Sequence, residues 1–430
     1  MKAQSHVKNL IIGGGISGLT LGYFFKDEYL ILEKDSDTGG YCRTIRRNDY
    51  VWDYAGHFYH FKTEEFKKLF LSLVEEDQII TQDKVTGIYY KGKIIDYPFQ
   101  MNIHQLDQSE FVDCLYDLYF KEERDSYDNF LDMLHGKFGR SIVEKFLRPY
   151  NEKLYATDLT TLDTNAMGRF FPYADFSGII RNMREGKNSS YNDHFLYLKQ
   201  GTQYFVDKLR AELDPSKIRI NTQVSRIDTV EKVVTLTTGE TIGYDNLINT
   251  TPLNFFLEIT GDAFPTNIIK EMSYNKVLVL NLGFSKSSKN YTKEHWIYFP
   301  DKSINFYRVG FYNNILHSDK LSLYVEIGYP KESVVDQVEV NGQLRRTLKN
   351  LKKVGILDDG NNLIDHSVVI MDPAYVHISG PTEIKLAEIT AEMNDLDIYT
   401  TGRYGKWTYS SMEDCMVWAK DIVDMIKSKS

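Results

Sequence analysis

A short stretch near the start of the chain constrains the fold more than any other part of the sequence. The apolar run from Leu10 to Ile12 is followed by Gly13 to Gly15, by a helical pattern that ends near Lys26, by a second apolar run from Tyr29 to Leu32, and by Glu33. This order predicts a strand, a glycine turn, a helix and a second strand followed by an acid. Two strands joined by a helix predict a parallel α/β unit, because such a crossover is how parallel strands are usually connected.

The glycines and the acid of this stretch predict a dinucleotide site. Gly13 permits the tight turn, Gly15 lets the backbone approach a pyrophosphate, and Gly18 lets the helix lie close to the sheet. Glu33 follows at the spacing at which a carboxylate accepts the ribose hydroxyls. The alternative is a glycine-rich turn that binds no ligand.

A second glycine element narrows the predicted cofactor from NAD or FAD to FAD. Gly39 and Gly40 are followed by Arg43, which resembles the element that packs near the FAD pyrophosphate in flavoproteins of the glutathione-reductase type. The alternative is an ordinary turn after a strand. Gly56 and His57 come next, where the chain can pass under the flavin ring, although a lone histidine among aromatic residues is more often structural.

Composition excludes several classes of function. A formal charge of -9 over 430 residues argues against a nucleic-acid or anionic-membrane surface, and the length predicts two or three domains. Without a membrane-spanning run or a signal-peptide core at the start, we expect a cytoplasmic protein. The three cysteines are widely spaced, which predicts buried apolar residues and no metal site: Cys42, Cys114 and Cys415.

The rest of the chain predicts three units of an α/β fold. A discontinuous Rossmann-type FAD-binding domain takes residues 1–80, 196–262 and 383–430, and Val224 begins the block that completes its sheet. A helical subdomain occupies residues 104–190. Residues 81–103 and 263–382 form an antiparallel-sheet substrate domain, and the alternation over residues 276–330 predicts that this part of the sheet has one face in water. We expect the ligand site where the three units meet.

Four local runs carry a resemblance to a known family: PFQMNI, RPYN, YFPDKSINFYR and GRYGKWTY. On these runs the chain resembles flavin-dependent UDP-galactopyranose mutases, especially the eukaryotic type, within the superfamily of FAD amine oxidoreductases and protoporphyrinogen oxidases. The resemblance implies FAD that is active when reduced, with NAD(P)H as a possible reductant. It also implies a nucleotide-sugar substrate.

The resemblance also implies roles for single residues. His57 matches a histidine beside the flavin, Arg308 and Tyr409 match groups that bind the diphosphate, and Gly402 with Arg403 match the flavin side. The substrate contacts that it implies are Tyr97, Gln100, Asn102, Asn151, Asn192, Trp296 and Tyr298. Without the resemblance, Trp296 and Tyr298 could simply pack a sheet and Arg308 could be an exposed strand residue.

Two departures from the family leave the particular sugar open. The family's second diphosphate arginine falls by counting at Phe170, and Arg169, one place earlier, is the candidate for its role. Ile315 occupies the position of a diphosphate tyrosine, although Tyr312 is nearby.

The reaction implied by the resemblance interconverts the pyranose and furanose forms of a UDP-sugar, UDP-galactose or a close relative, through an adduct on N5 of reduced flavin with no net redox change. The first alternative is an FAD-dependent amine oxidase or protoporphyrinogen-oxidase-like enzyme, which needs an apolar cavity and consumes oxygen. The second is a flavoprotein without activity. The sugar, the nucleotide, the reductant and the oligomeric state are not readable from the sequence.

Overall fold

The structure is a computed structural model that describes residues 3–166, 176–185 and 194–429. Its strands, numbered along the chain, are β1 (Ser5–Ile12), β2 (Tyr29–Leu32), β3 (Thr44–Arg47), β4 (Tyr50–Asp53), β5 (Ile79–Asp83), β6 (Thr86–Tyr90), β7 (Lys93–Asp96), β8 (His194–Leu198), β9 (Ile218–Arg219), β10 (Val224–Asp228), β11 (Val233–Leu236), β12 (Thr241–Asn249), β13 (Ser273–Phe284), β14 (Trp296–Tyr298), β15 (Arg308–Phe311), β16 (Ser322–Pro330), β17 (Leu363–Met371), β18 (Val376–His377) and β19 (Ile398–Thr400). The predicted calls on Arg169 and Asn192 lie outside the described residues.

The helices are numbered in the same way. They are α1 (Ile16–Phe25), α2 (Glu64–Leu73), α3 (Gln108–Tyr119), α4 (Phe130–Ile142), α5 (Arg148–Tyr155), α6 (Phe176–Glu185), α7 (Gln203–Ala211), α8 (Leu253–Ile259), α9 (Ile268–Glu271), α10 (Tyr312–Leu316), α11 (Gln337–Lys353), α12 (Gly380–Asp395), α13 (Gly402–Gly405) and α14 (Met412–Lys429). In the ranges that the structure describes, no helix is long and apolar enough to cross a membrane.

The first sheet is the dinucleotide-binding sheet that the sequence predicts. Its strand order is β10-β11-β12-β1-β2-β9, and β19 pairs in parallel with β12. Strand β1 pairs in parallel with both β2 and β12. Successive side chains of a strand point to opposite faces, so Ile11 packs with α1, α7 and α14 on one face while Leu10 and Ile12 pack with α8 and α12 on the other. This three-layer arrangement confirms the predicted α/β fold.

The second sheet is mainly antiparallel, with the order β17-β13-β16-β15-β14-β6-β7. Strands β6 and β7 form the hairpin predicted at Lys91 and Gly92. Of the pairs described in this second sheet, only β14 with β6 is parallel. The expectation of one face in water is wrong for β13 and β16. Leu278 and Leu280 pack beneath α11, whereas Val277 and Val279 pack against the β3–β4 hairpin. Strand β17, at the edge of this sheet, keeps an alternating exposed face.

The helical unit lies against this sheet. Helices α3, α4 and α5 share one core with the segment that carries Phe99 and Ile103. Lys153 of α5 fixes the helix to the loop between β14 and β15, since its Nζ donates to the carbonyls of Phe299 at 2.6 Å and Asp301 at 3.0 Å. Burial lowers the pKa of Lys153 to about 7. This contact holds α5 beside the strands that carry Trp296, Tyr298 and Arg308.

The remaining predictions about the chain can be compared with these elements. Cys42, Cys114 and Cys415 are buried free thiols, as predicted. Among the described residues no group of histidine, cysteine and carboxylate side chains has the arrangement of a metal site. The domain boundaries given from the sequence stay a prediction.

Candidate functional site

The glycine turn between β1 and α1 leaves an opening at the N-terminus of the helix. Gly13 has a φ of 103°, and a Cβ there would lie 2.4 Å from Thr250 Oγ1. A Cβ on Gly18 would lie 1.9 Å from the Gly13 carbonyl oxygen. A Cβ on Gly15 would meet no atom within 4 Å. Gly13 and Gly18 are therefore required by the fold, whereas Gly15 faces the space where a helix N-terminus binds phosphate.

The second glycine element packs directly on the first. The Gly39 amide donates to the Gly14 carbonyl at 2.8 Å, and a Cβ on Gly40 would lie 3.6 Å from Gly15 Cα. Arg43 fixes this loop through an ion pair with Asp35 at 2.9 Å. The two glycine elements thus form one wall of a single cradle.

The groups around this cradle fit a dinucleotide. Glu33 is buried and accepts from the amides of Gly14 at 2.7 Å and Asp35 at 2.9 Å. A carboxylate offers about four acceptor sites, so this one keeps capacity for ribose hydroxyls. The hydroxyls of Thr38 and Thr401 are buried without a hydrogen-bond partner in the described structure. Val224, at the start of β10, packs in the core on one face of the sheet, beside Leu10 and Leu32.

Arg403 brings a partly buried positive charge to the other side of the cradle. Gly402 has a φ of 82°, and its Cβ would lie 2.5 Å from Ser17 Oγ in the first turn of α1. The Arg403 guanidinium donates to the carbonyls of Ser410 at 3.1 Å and Ala374 at 3.3 Å. Burial acts to lower its pKa, but nearby tyrosine hydroxyls and the Cys415 thiol raise the pKa above the usual value. No carboxylate of the described chain forms an ion pair with it.

His57 lies where the charges of two arginines act on it. Burial, and then Arg403 and Arg308, lower the pKa of His57 to about 4, so the imidazole is neutral near pH 7. Its Nδ1 is buried without a hydrogen-bond partner in the described part of the chain. Gly56 beside it makes room for Tyr324, because a Cβ there would lie 2.5 Å from the Tyr324 hydroxyl.

Arg308, which is partly buried, forms an ion pair with the buried Glu326 on the neighbouring strand. The two residues are register partners of β15 and β16. Arg308 Nε and Nη2 donate to the two Glu326 oxygens, each at 2.7 Å. Within the described residues Nη1 makes no hydrogen bond, so this nitrogen is the one that a ligand can reach.

Aromatic side chains surround Arg308. Tyr298 lies with its ring centroid 5.1 Å from that of Tyr97 and 5.2 Å from that of Tyr150. Its hydroxyl accepts from Trp296 Nε1 at 2.8 Å. Trp296 in turn stacks on Phe58 at 4.9 Å, next to His57. The predicted Trp296 and Tyr298 pair therefore joins the His57 segment to the Arg308 strands.

Tyr409 lies beside Arg403 and a tyrosine that sequence reasoning missed. The Arg403 guanidinium carbon is 4.5 Å from the Tyr409 ring centroid and 5.2 Å from that of Tyr375. Tyr375 and Tyr409 stack at 5.8 Å. Burial raises the pKa of Tyr375, while the charge of Arg308 opposes that rise. Arg308, Arg403, Tyr375 and Tyr409 therefore share one cluster.

Tyr375 of this cluster and Glu326, the partner of Arg308, each had a signal in the sequence that was not used. Glu326 stands in the apolar strand run SLYVEIGYP, and a charge in such a strand needs a partner. Tyr375 follows the turn residues Asp372 and Pro373 directly after β17. Neither signal identifies the residue that Glu326 or Tyr375 contacts, because that residue comes from another part of the chain.

The other predicted substrate residues are buried and differ in whether their polar atoms have hydrogen-bond partners. Asn151 donates from Nδ2 to the Leu147 carbonyl at 2.7 Å, and its Oδ1 is buried without a partner in the described structure. Gln100 and Asn102 are buried in the segment after Pro98. Tyr312 is 0% exposed, and its hydroxyl donates to the Ala55 carbonyl at 3.4 Å. Ile315 is likewise buried in the core beneath the cluster.

Comparisons with known proteins agree with this architecture. Residues 11–73 match the model of the NAD(P)-binding Rossmann-like domain. Coproporphyrinogen III oxidase of Staphylococcus aureus is 23% identical over 315 residues, which cover 64% of this chain and 67% of that protein.

Solved structures extend the match to the whole chain. Reduced UDP-galactopyranose mutase superposes with a TM-score of 0.91 at 23% identity, covering 99% of this chain and 94% of the other. A putative protoporphyrinogen oxidase from Exiguobacterium sp. 255-15 superposes at 0.76 with 17% identity, covering 100% of both. The chain therefore has the fold shared by flavin-dependent mutases and these oxidases, as the sequence resemblance predicts.

Proposed function

We propose that this protein is a flavin-dependent mutase that interconverts the pyranose and furanose forms of a UDP-sugar, UDP-galactose or a close relative. The observation that carries the proposal is the cluster of Arg308, Arg403, Tyr375 and Tyr409 beside His57. The fold shared with UDP-galactopyranose mutase supports it.

FAD is the cofactor that fits the cradle. The pyrophosphate would lie at Gly15 and the N-terminus of α1, the ribose at Glu33, and the second glycine element with Arg43 along the same wall. Gly56, His57, Gly402 and Arg403 would border the flavin end. When bound and reduced, with NAD(P)H as a possible source of electrons, FAD would supply the covalent chemistry at the anomeric carbon.

The charges of the cluster favour a diphosphate. Arg308 and Glu326 neutralise each other, so the partly buried positive charge of Arg403 is the one in this cluster left without a carboxylate in the described chain. An anion that enters this cluster would be attracted by that charge, and Arg308 Nη1 can donate to it. Tyr409 and Tyr375 add two hydroxyls on the same side. Charge-assisted hydrogen bonds of this kind are about twice as strong as neutral ones.

This arrangement would help the bond between sugar and diphosphate to break. The leaving diphosphate gains negative charge, and donors fixed in advance stabilise such charge without having to reorganise. Glu326 keeps the Arg308 guanidinium in one orientation, since both of its oxygens are engaged. His57 is neutral, so it can donate or accept one hydrogen bond without adding a third positive charge.

The nucleoside end of the substrate would lie toward the helical unit. Tyr97, Gln100 and Asn102 form the side facing α5, and Asn151 Oδ1 offers a buried acceptor to a base or sugar donor. Trp296 and Tyr298 would cover the middle of the substrate. Asn192 and Arg169 stay sequence predictions for the same ligand.

One alternative has its own support. An FAD-dependent oxidase of the protoporphyrinogen or amine type fits the similarity to the Staphylococcus aureus and Exiguobacterium proteins. Such an enzyme would act on an apolar substrate, whereas this cluster contains two partly buried arginines and several tyrosines. A flavoprotein that only binds its cofactor is the second alternative.

One experiment separates the three possibilities. The dithionite-reduced protein is incubated with UDP-galactose, UDP-N-acetylgalactosamine, UDP-arabinopyranose and a dTDP-sugar, and the products are resolved by chromatography. A furanose product from at least one UDP-sugar is expected. Oxygen uptake with amines or porphyrinogens and no furanose product would favour the oxidase, and FAD retention with neither activity would favour the binding protein.

A further inference from the structure

A wide bulge carries Tyr375 to the cluster. Strand β13 pairs with β18 at its start and with β17 from Val277 onward. Between these two pairings, residues 275–276 of β13 face residues 372–375, so two residues lie opposite four. Bulges are frequent beside active sites, where they redirect a side chain. Tyr375 is the last residue of this bulge and stacks on Tyr409.

Asn275, which is 0% exposed, holds this bulge through its backbone and its side chain. Its backbone amide donates to the Tyr375 carbonyl at 2.9 Å, and its backbone carbonyl accepts from the Ala374 amide at 2.9 Å. Its side-chain Oδ1 accepts from the Tyr375 amide at 2.8 Å, and its Nδ2 donates to the Leu154 carbonyl. A backbone amide can only donate and a carbonyl can only accept, so the orientation of the Asn275 side chain is fixed.

The side chain of Asn275 joins the bulge to helix α5. Leu154 lies in the last turn of α5, where helix carbonyls lack partners inside the helix. A buried backbone group without a hydrogen bond is unfavourable, so the Asn275 amide fixes the bulge and the helix relative to each other. The same helix carries Asn151, the predicted contact to the nucleoside end of the substrate.

The bulge in turn contacts the Arg403 side of the cluster at two points. The Ala374 carbonyl accepts from Arg403 Nη2 at 3.3 Å and from the Tyr404 hydroxyl at 3.2 Å. The Arg403 guanidinium carbon lies 5.2 Å from the Tyr375 ring centroid. Asn275 itself is enclosed, and both polar atoms of its side chain are engaged. An effect of Asn275 on a ligand therefore passes through the bulge.

We propose that Asn275 is a positioning residue that sets the place of the Tyr375 hydroxyl against the diphosphate of the substrate. The inference rests on the proposed function. Removing the side-chain amide leaves both backbone bonds of Asn275 but frees the Tyr375 amide, so Tyr375 keeps its strand contact and loses its fixed tilt. A misplacement of about 1 Å can cost about a hundredfold in rate. A purely structural role would lower stability without a specific effect on the diphosphate.

Calorimetric titration of the FAD-loaded protein with UDP tests the proposal, because UDP contains the diphosphate and no sugar to transfer. Asn275→Ala is expected to weaken UDP binding about tenfold, which corresponds to the loss of one hydrogen bond. In a Tyr375→Phe background the same substitution is expected to change the affinity about twofold or less, because the hydroxyl that it misplaces is already absent.

Leu278→Ala is the matched control for a loss of stability. Leu278 is 0% exposed on the same strand, but it packs beneath α11 on the face away from the bulge. This variant is expected to have a lower melting temperature and the UDP affinity of the wild-type protein. A tenfold loss of affinity in Leu278→Ala as well would overturn the inference.

The remaining outcomes separate the inference from the function on which it rests. Wild-type protein that does not bind UDP would overturn the proposed function and this inference together. Wild-type affinity in Asn275→Ala, or an equal loss in both backgrounds, would overturn the inference alone. If Asn275→Ala does not fold, hydrogen exchange in the wild-type protein decides. The amides of residues 372–375 are expected to exchange more slowly with UDP bound, and unchanged exchange would overturn the inference.

Discussion

Arg308 and Glu326 face each other across β15 and β16 and are joined by two hydrogen bonds of 2.7 Å. Glu326 is 1% exposed, so water cannot replace its partner. The pair is part of the candidate site and of the core at the same time. Substitutions at Arg308 therefore test the fold as well as the function.

The first prediction separates these two effects. Arg308→Ala leaves a buried carboxylate without its partner, which costs about 3–5 kcal/mol of unfolding free energy. Replacing both residues by leucine is expected to recover most of that loss, because no charge is then buried alone. Neither variant should turn over a UDP-sugar. Urea unfolding and the product assay check this prediction, and recovered turnover in the double leucine variant would remove Arg308 from the site.

The second prediction concerns the stacked tyrosines. Tyr409→Phe and Tyr375→Phe each keep the ring stack but lose a hydroxyl beside Arg403. A hydrogen bond to a charged group contributes about 1.5–3 kcal/mol, so each variant is expected to lose about tenfold to a hundredfold in kcat/KM. Steady-state kinetics measure this loss. Tyr116→Phe on the exposed side of α3 is the control, and equal kinetics of all three variants would contradict the assignment.

The third prediction compares two glycines of the same turn. Gly15→Ala adds a methyl group where no atom lies within 4 Å, so the protein should fold but lose FAD. Gly18→Ala adds one 1.9 Å from a backbone oxygen, so it should lower the melting temperature as well. FAD absorbance and thermal unfolding report the two outcomes. Full FAD content in Gly15→Ala would mean that the cofactor does not use this opening.

The fourth prediction is a dependence of stability on pH. Burial is the main cause that lowers the pKa of His57, His295 and His377 to about 4, from 6.5 in the unfolded chain. Between these values the unfolded chain binds protons that the folded protein does not. Stability therefore rises with pH across this window and is lost as the pH falls through it.

His57→Gln should remove one of the three contributions, worth up to about 3 kcal/mol. Urea unfolding near pH 5 and near pH 7 measures the slope. The variant should show a smaller difference between the two conditions than the wild-type protein. His366→Gln, on the exposed side of β17, should not change the difference. Identical slopes for His57→Gln and the wild-type protein would show that His57 is not buried as described.

Local pattern was enough to predict some elements. The β1–α1–β2 unit follows from glycine spacing and apolar runs within one short segment, and the β6–β7 hairpin follows from Lys91 and Gly92. Contacts across the sheets could not be predicted in this way. The Arg308 and Glu326 pairing depends on strand register, and the coverage of β13 depends on the β3–β4 hairpin far away in the sequence.

Sequence spacing was enough to predict that some residues of the candidate site are neighbours, while their roles stay predictions. Arg403 and Tyr409 are close in the sequence, and in the structure the Arg403 guanidinium carbon lies 4.5 Å from the Tyr409 ring centroid. Tyr375 was missed because its stacking partner lies on a different loop. Ile315, which counting placed at the family's diphosphate tyrosine, lies in the core. Counting along the sequence cannot identify a tyrosine that reaches the cluster from another loop, as Tyr375 does.

Helix α6 contacts the segment that carries two of the predicted substrate residues. Asn182 donates from Nδ2 to the Met101 carbonyl at 3.4 Å, between Gln100 and Asn102. Nucleotide binding at this segment and the position of helix α6 would then be thermodynamically linked, because each would stabilise the other. A ligand held by Gln100 and Asn102 would therefore slow hydrogen exchange in α6, a helix that it does not have to touch.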